Sequence, residues 1–142
     1  MIATEAPPRL KLASPDAVRD LMCPRIGANV VEEVWVLPLD APSCLIGKPL
    51  MLSRGGTSGC EVPLAPLMRL VLSRPTAVSF IVVHNHPAGS ATPSADDLTI
   101  TRRIILAARL LDLAMPDHCI IAGTTCASIR TTHPHLWIMP TA

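Results

Sequence analysis

His84-Asn85-His86-Pro87-Ala88-Gly89-Ser90-Ala91-Thr92-Pro93-Ser94-Ala95-Asp96-Asp97, or HNHPAGSATPSADD, is the stretch on which the reading of this chain turns. Two histidines stand two apart, seven residues separate His86 from Ser94, and Asp97 lies three further on. The run Ala77-Val78-Ser79-Phe80-Ile81-Val82-Val83 leads into it and reads as a buried strand. Residues two apart on an extended chain point to one side, so both imidazoles can converge on one ion. Pro87 disfavours a helical conformation for His86 and keeps the pair extended. After a loop punctuated by Gly89 and Pro93, Ser94 opens a helical pattern with Asp97 in its first turn. Two imidazole nitrogens and one carboxylate, with a fourth position left for water, form the donor set of a catalytic zinc site.

Each piece also has a plainer reading. Ser94 to Asp97 is a capping box, a role compatible with metal binding. His133-Pro134-His135 repeats the histidine spacing without a nearby acid and is expected to be a solvated C-terminal feature. The contiguous letters "HNH" do not indicate an HNH nuclease, whose named residues are dispersed over a longer motif.

Together these residues resemble the JAMM motif of the MPN metallopeptidase family, and most closely its RadC-like branch. His84-Asn85-His86-Pro87-Ala88-Gly89, Thr92-Pro93-Ser94, Asp96-Asp97-Leu98 and Thr101-Arg102-Arg103 are similar to that branch's pattern. Asp117-His118 followed by Cys119-Ile120-Ile121 looks like its next strand, and the resemblance covers roughly Ser14 to Arg130. It implies that His84, His86 and Asp97 bind one Zn2+ per chain and that Ser94 helps hold a tetrahedral oxyanion. A glutamate on an early strand would take the proton of the attacking water. Val30 to Asp40 is the only upstream candidate segment, and aligning its Leu39-Asp40 with the family's similar Leu-Asp selects Glu32. Glu33 would point to the opposite strand face, so only one of the two can serve. Ser53-Arg54-Gly55 matches a loop that the family places beside the active-site groove, which makes Arg54 and Gly55 candidate substrate contacts. Val62-Pro63-Leu64-Ala65 departs from the branch's polar helix start, which puts in doubt any function of that corner but not the zinc ligands.

The chain has 142 residues, 49% of them hydrophobic and 16% charged, with a mean hydropathy of +0.42. That suits one domain with a substantial core. A short arm over 1–13 and a RadC-like JAMM/MPN domain over 14–142 are expected. No apolar run approaches 18 residues, and Glu5, Arg9 and Lys11 interrupt the N-terminus, so neither a membrane span nor a signal peptide is expected. A cytoplasmic, bacterial-type protein follows, with some apolar surface that a partner or second copy could cover. The five cysteines, Cys23, Cys44, Cys60, Cys119 and Cys126, include no Cys-x-x-Cys and read as reduced thiols.

Ser14-Pro15-Asp16 starts a helix expected to end near Pro24. Strands are expected at about 31–39 and 44–52, and a second helix at about 64–73. A third helix should run from Ser94 to about Leu111 with Leu98, Thr101, Ile105 and Ala108 on one face and Arg102 and Arg103 solvated. Strands near 118–122 and 127–131 close the domain, and His118 reads as a hydrogen-bonded structural histidine. The expected class is α/β: a mixed β-sheet flanked by helices, the MPN/JAB form of a cytidine-deaminase-like sandwich.

Three functions compete. The resemblance favours a zinc-dependent peptidase or isopeptidase that cuts after the C-terminal tail of a ubiquitin-like protein. A DNA-associated module is disfavoured by a net charge of +1, 2% aromatics and no basic cluster longer than Arg102-Arg103. The helix-hairpin-helix extension of many RadC-like proteins is not expected here. A non-catalytic MPN scaffold would lack ligands, whereas every JAMM position can be filled here. No HExxH, Gly-x-Ser-x-Gly or P-loop offers another chemistry.

Overall fold

In the computed structural model, which describes residues 9–55 and 62–138, the apolar run before the histidines is the middle strand of a five-stranded sheet. This strand, β3 (Ser79–Asn85), is buried at every position. A strand covered on both faces needs a near-continuous apolar sequence, which is what Phe80 to Val83 supplies. Around it lie β1 (Glu33–Leu39), β2 (Leu50–Arg54), β4 (His118–Ala122) and β5 (Thr125–Ser128) in the order β2-β1-β3-β4-β5. Only the β3–β4 pairing is parallel, so the sheet is mixed.

Helices cover both faces: α1 (Pro15–Ile26) on one, α2 (Leu64–Leu72) and α3 (Ala95–Leu110) on the other. The β1–β3 register, with Val34 opposite His84 and Val36 opposite Val82, turns those four residues toward α2 and α3. Trp35 opposite Val83 and Leu37 opposite Ile81 turn toward α1. On the α3 side, Ile100, Ile104, Ile105 and Ala108 form a buried stripe at helical spacing. Thr101 and Asp97 extend that stripe towards the C-terminal end of β3, whereas Leu98 lies at its margin. Arg102 and Arg103 are exposed, as expected.

Several boundaries differ from expectation. Helix α1 continues two residues past Pro24, and its Ile26 is buried against the sheet. Proline removes one helical hydrogen bond, and the buried stripe Val18, Met22 and Ile26 offsets that loss. Gly27 ends the helix, and a Cβ there would meet the Gly123 carbonyl oxygen at 2.1 Å. The second strand starts at Leu50 rather than Cys44. Ser43 and Gly47 have positive φ, and Cys44 and Leu45 make only isolated bridges to Lys11 and Leu39. Lys11 and Leu12 of the expected arm are thereby held against the domain, with Leu12 buried in the α1 layer. The last strand stops at Ser128, whose hydroxyl accepts the Thr131 N–H and opens the short helix α4 (Ile129–Thr132). That local cap overrides the β preference of Ile129 and Thr131.

The glycine-rich loop beyond Gly55, and Cys60 with it, lies outside the described residues. Among those described, the other four cysteines are free, and no helix is long and apolar enough to cross a membrane.

Candidate metal centre

His84 is fully buried one residue before the end of β3, and His86 follows directly after the strand, half-buried. Their side chains emerge on the α3 face, where the first turn of α3 delivers Asp97, itself only 1% exposed. Nε2 of His84 lies 3.0 Å from Nε2 of His86, and Asp97 places Oδ1 3.2 Å from the first and Oδ2 3.1 Å from the second. One candidate ligand atom from each residue falls within 4.8 Å of the others, and among the described residues no other such group occurs. Ligands about 2.0–2.2 Å from a tetrahedral ion stand about 3.3–3.6 Å apart, so this triangle needs to widen by only a few tenths of an ångström.

The chemistry of the donors agrees with the spacing. Nδ1 of His86 lies 2.8 Å from the Ser90 carbonyl oxygen, which can only accept. Nδ1 therefore carries a proton, and Nε2 is left to face Asp97. Without a cation, a proton must hold the group together. The hydrogen bond from His86 to Asp97 raises the His86 pKa against the opposing effect of burial. Burial works against a charged Asp97, but the facing imidazoles of His84 and His86 outweigh it and hold the carboxyl well below the ordinary range. A buried carboxylate facing two imidazoles is a site prepared for positive charge.

Ser94 is the N-cap of α3: its Oγ accepts the Asp97 N–H at 3.1 Å while Asp97 Oδ2 accepts the Ser94 N–H at 2.9 Å. The capping box thus orients the third ligand, and the exposed Ser94 hydroxyl keeps its own proton to donate.

Strand β1 begins at Glu33, so Glu32 stands just ahead of it. The register that sets Val34 opposite His84 continues with Glu33 beside Asn85, where the Glu33 N–H donates to Asn85 Oδ1 at 2.7 Å. Glu32 lies just outside that pairing, and its charge contributes to raising the His86 pKa. Glu33 faces the other way and is 5% exposed. Its carboxylate accepts from Asn29 at 2.8 Å and from the Trp35 indole at 3.1 Å, and pairs with Arg54 at 3.2 Å. Arg54 is therefore engaged by Glu33 at the end of β2, and the Gly55 N–H donates to the Glu32 carbonyl at 2.8 Å. His133 and His135 stand well away in sequence, one before and one within the 3-10 turn Pro134–Trp137, and do not join the group.

Comparison with known proteins places the chain in a family. Residues 12–134 match the RadC-like JAB domain family. The chain belongs to that family. A UPF0758 protein of Neisseria meningitidis serogroup C (strain 053442) is 34% identical to this RadC-like JAB domain over 140 residues. Those residues are 99% of this chain and 60% of that protein. A UPF0758 protein of Flavobacterium johnsoniae is 38% identical over 114 residues, 80% of this chain and 49% of its own. The RadC-like domain described here thus spans about half to three-fifths of the curated relatives it matches. The wider JAB/MPN family includes metallohydrolases, and the His84-His86-Asp97 group could hold a metal ion.

The sequence gives Asn85 no role, and the hydrogen-bonded structural histidine expected at His118 is found with its partners. Asn85, 2% exposed, faces away from the histidines on either side of it. Thr101 and His118, both fully buried, meet behind His84. The available signal was a polar side chain inside an otherwise apolar strand or stripe, which must find a partner when buried.

Proposed function

We propose that this RadC-like domain is a zinc-dependent metallopeptidase or isopeptidase, hydrolysing an amide bond after the C-terminal tail of a ubiquitin-like protein. The observation that carries the reading is the meeting of His84, His86 and Asp97, with a second carboxylate, Glu32, close enough for its charge to act on His86. A peptide carbonyl is a poor electrophile and water a poor nucleophile. Zinc, when bound by His84, His86 and Asp97, supplies Lewis acidity that polarises a carbonyl and brings the pKa of water towards about 7. Glu32 accepts the proton of the attacking water and passes it to the leaving amine, a role worth about 10²–10⁴-fold. Ser94 donates its hydroxyl proton to the oxygen on which negative charge develops. Strand β2 is a sheet edge and pairs with β1, which Glu32 precedes, and an extended tail can add to such an edge by backbone hydrogen bonds. The Arg54 and Gly55 end of that edge would meet the tail.

The test is cleavage of a panel of ubiquitin-like proteins carrying a C-terminal amide-linked fluorophore, by wild type and by Glu32→Ala at equal zinc content. Release by wild type alone supports the reading. Release by neither, with zinc bound in both, removes it.

A further inference from the structure

Behind the candidate metal centre, three buried side chains make a hydrogen-bond chain whose direction can be worked out atom by atom. Thr101 Oγ1 lies 2.6 Å from the Asp97 carbonyl oxygen. A carbonyl only accepts, so the threonine proton is spent there. Thr101 Oγ1 also lies 2.6 Å from Nδ1 of His118, and in that contact the hydroxyl must accept, so Nδ1 of His118 carries the proton. A neutral His118 then has a bare Nε2, which sits 2.8 Å from Nδ1 of His84 and can only accept from it. All three side chains are 0% exposed, so no water competes for these contacts.

We propose that His118 and Thr101 are positioning residues that hold the proton of His84 on Nδ1 and so leave its Nε2 lone pair for the metal. The inference rests on the metal-binding part of the reading above and on nothing about the substrate. A metal-ligating histidine commonly donates its second N–H to a carbonyl or carboxylate, which fixes its tautomer and ring orientation. His86 does this through Ser90. His84 has no carbonyl in that position, and His118 stands in for one only because Thr101 imposes its tautomer. The chain begins on the backbone of one ligand, Asp97, and ends on the ring of another. It therefore ties α3 to β3 through β4.

Two measurements test it. Long-range ¹H–¹⁵N NMR of the imidazoles in metal-free wild type, at about pH 8 where an ordinary histidine is neutral, should show both His84 and His118 protonated on Nδ1. Zinc titration should show His118→Leu weakened by about 10–100-fold, the range for loss of such a partner. His118→Gln, whose amide can accept from His84 and donate to Thr101, should bind close to wild type. Thr101→Val should weaken binding and Thr101→Ser restore it. His84 protonated on Nε2 in the wild type, or unchanged zinc affinity in both His118→Leu and Thr101→Val, would overturn the inference. If His118→Leu does not fold, the threonine pair and the wild-type spectrum carry the test. A wild type that takes up no zinc defeats the metal reading, and its His84 tautomer still decides the relay.

Discussion

Asn85 accepts the Glu33 N–H through Oδ1 at 2.7 Å, and the same side-chain amide donates to the Val31 carbonyl at 2.9 Å. The backbone on both sides of Glu32 is thereby held from the strand that carries His84. Asn85→Ala leaves a buried N–H without its partner, a loss of about 1–3 kcal/mol. Zinc uptake should stay near wild type, because Asn85 faces away from the ligands, while hydrolysis falls as Glu32 loses its fixed position. Chemical denaturation and zinc content measured on one preparation check both halves.

The two adjacent glutamates should separate cleanly. Glu32→Gln is expected to keep its zinc and its stability and to lose hydrolysis. Glu33→Gln is expected to keep zinc and lose about 1–3 kcal/mol of stability, because its buried carboxylate serves Asn29, Trp35 and Arg54. Inactivity on changing Glu33 alone, at full stability, would move the general base to that residue.

Ser94 carries two roles that substitution can divide. Ser94→Ala removes cap and hydroxyl together, costing about 0.5–2 kcal/mol of stability, whereas glycine is tolerated as an N-cap to within a few tenths. Ser94→Gly should therefore melt near wild type yet lose about 10²–10³-fold in kcat, the scale of one oxyanion donor. Equal activity in Ser94→Gly and wild type would leave Ser94 a cap and nothing more.

Acidity should act in opposite ways on the metal-free and the zinc-loaded protein. Asp97 is held below the ordinary carboxyl range, so it stabilises the fold above about pH 4 and loses that contribution as pH falls through its folded value. His86 is raised by its bond to Asp97, so it contributes fully below about pH 6.5 and loses that contribution as pH rises through its folded value. The metal-free pair is thus most stabilising between about pH 4 and 6.5. Zinc needs the His86 proton to leave, so the stabilisation it adds should grow as pH rises. Thermal melts with zinc and with chelator across pH 5 to about 9 read both trends. A zinc-induced shift that shrinks on raising the pH would contradict them.

Metal content distinguishes the two His-x-His pairs. His86→Ala should lose bound zinc and activity together, and His135→Ala should lose neither, as elemental analysis of the purified variants would show. Zinc lost from His135→Ala would place a second site at the C-terminal turn.

What the sequence alone determined lies within a short span of chain. His84, His86, Ser94 and Asp97 come together through local rules: alternation along a strand, a proline-restricted turn, and a capping box that puts the third ligand in the first turn of a helix. None of these depends on how distant segments pack. Two of the boundaries that differ, at Cys44 and at Ser128, were also set locally. There, positive φ at Ser43 and Gly47, and a serine cap, overrode strand-forming neighbours.

Tertiary structure decided everything that spans strands. Glu32 is more than fifty residues from His86, and the β1–β3 pairing brings its charge close enough to act on that ring, while Glu33 bonds to Asn29, Trp35 and Arg54. A shift of one residue in that pairing would exchange the two. Glu33, expected on the opposite strand face from Glu32, is buried because three polar partners from different segments reach it. His118 and Thr101 lie on different elements, and only the packing of α3 across β3 and β4 brings them behind His84. Short-range periodicity is written into the chain, whereas strand register and burial are settled by the free energy of the whole packed sheet.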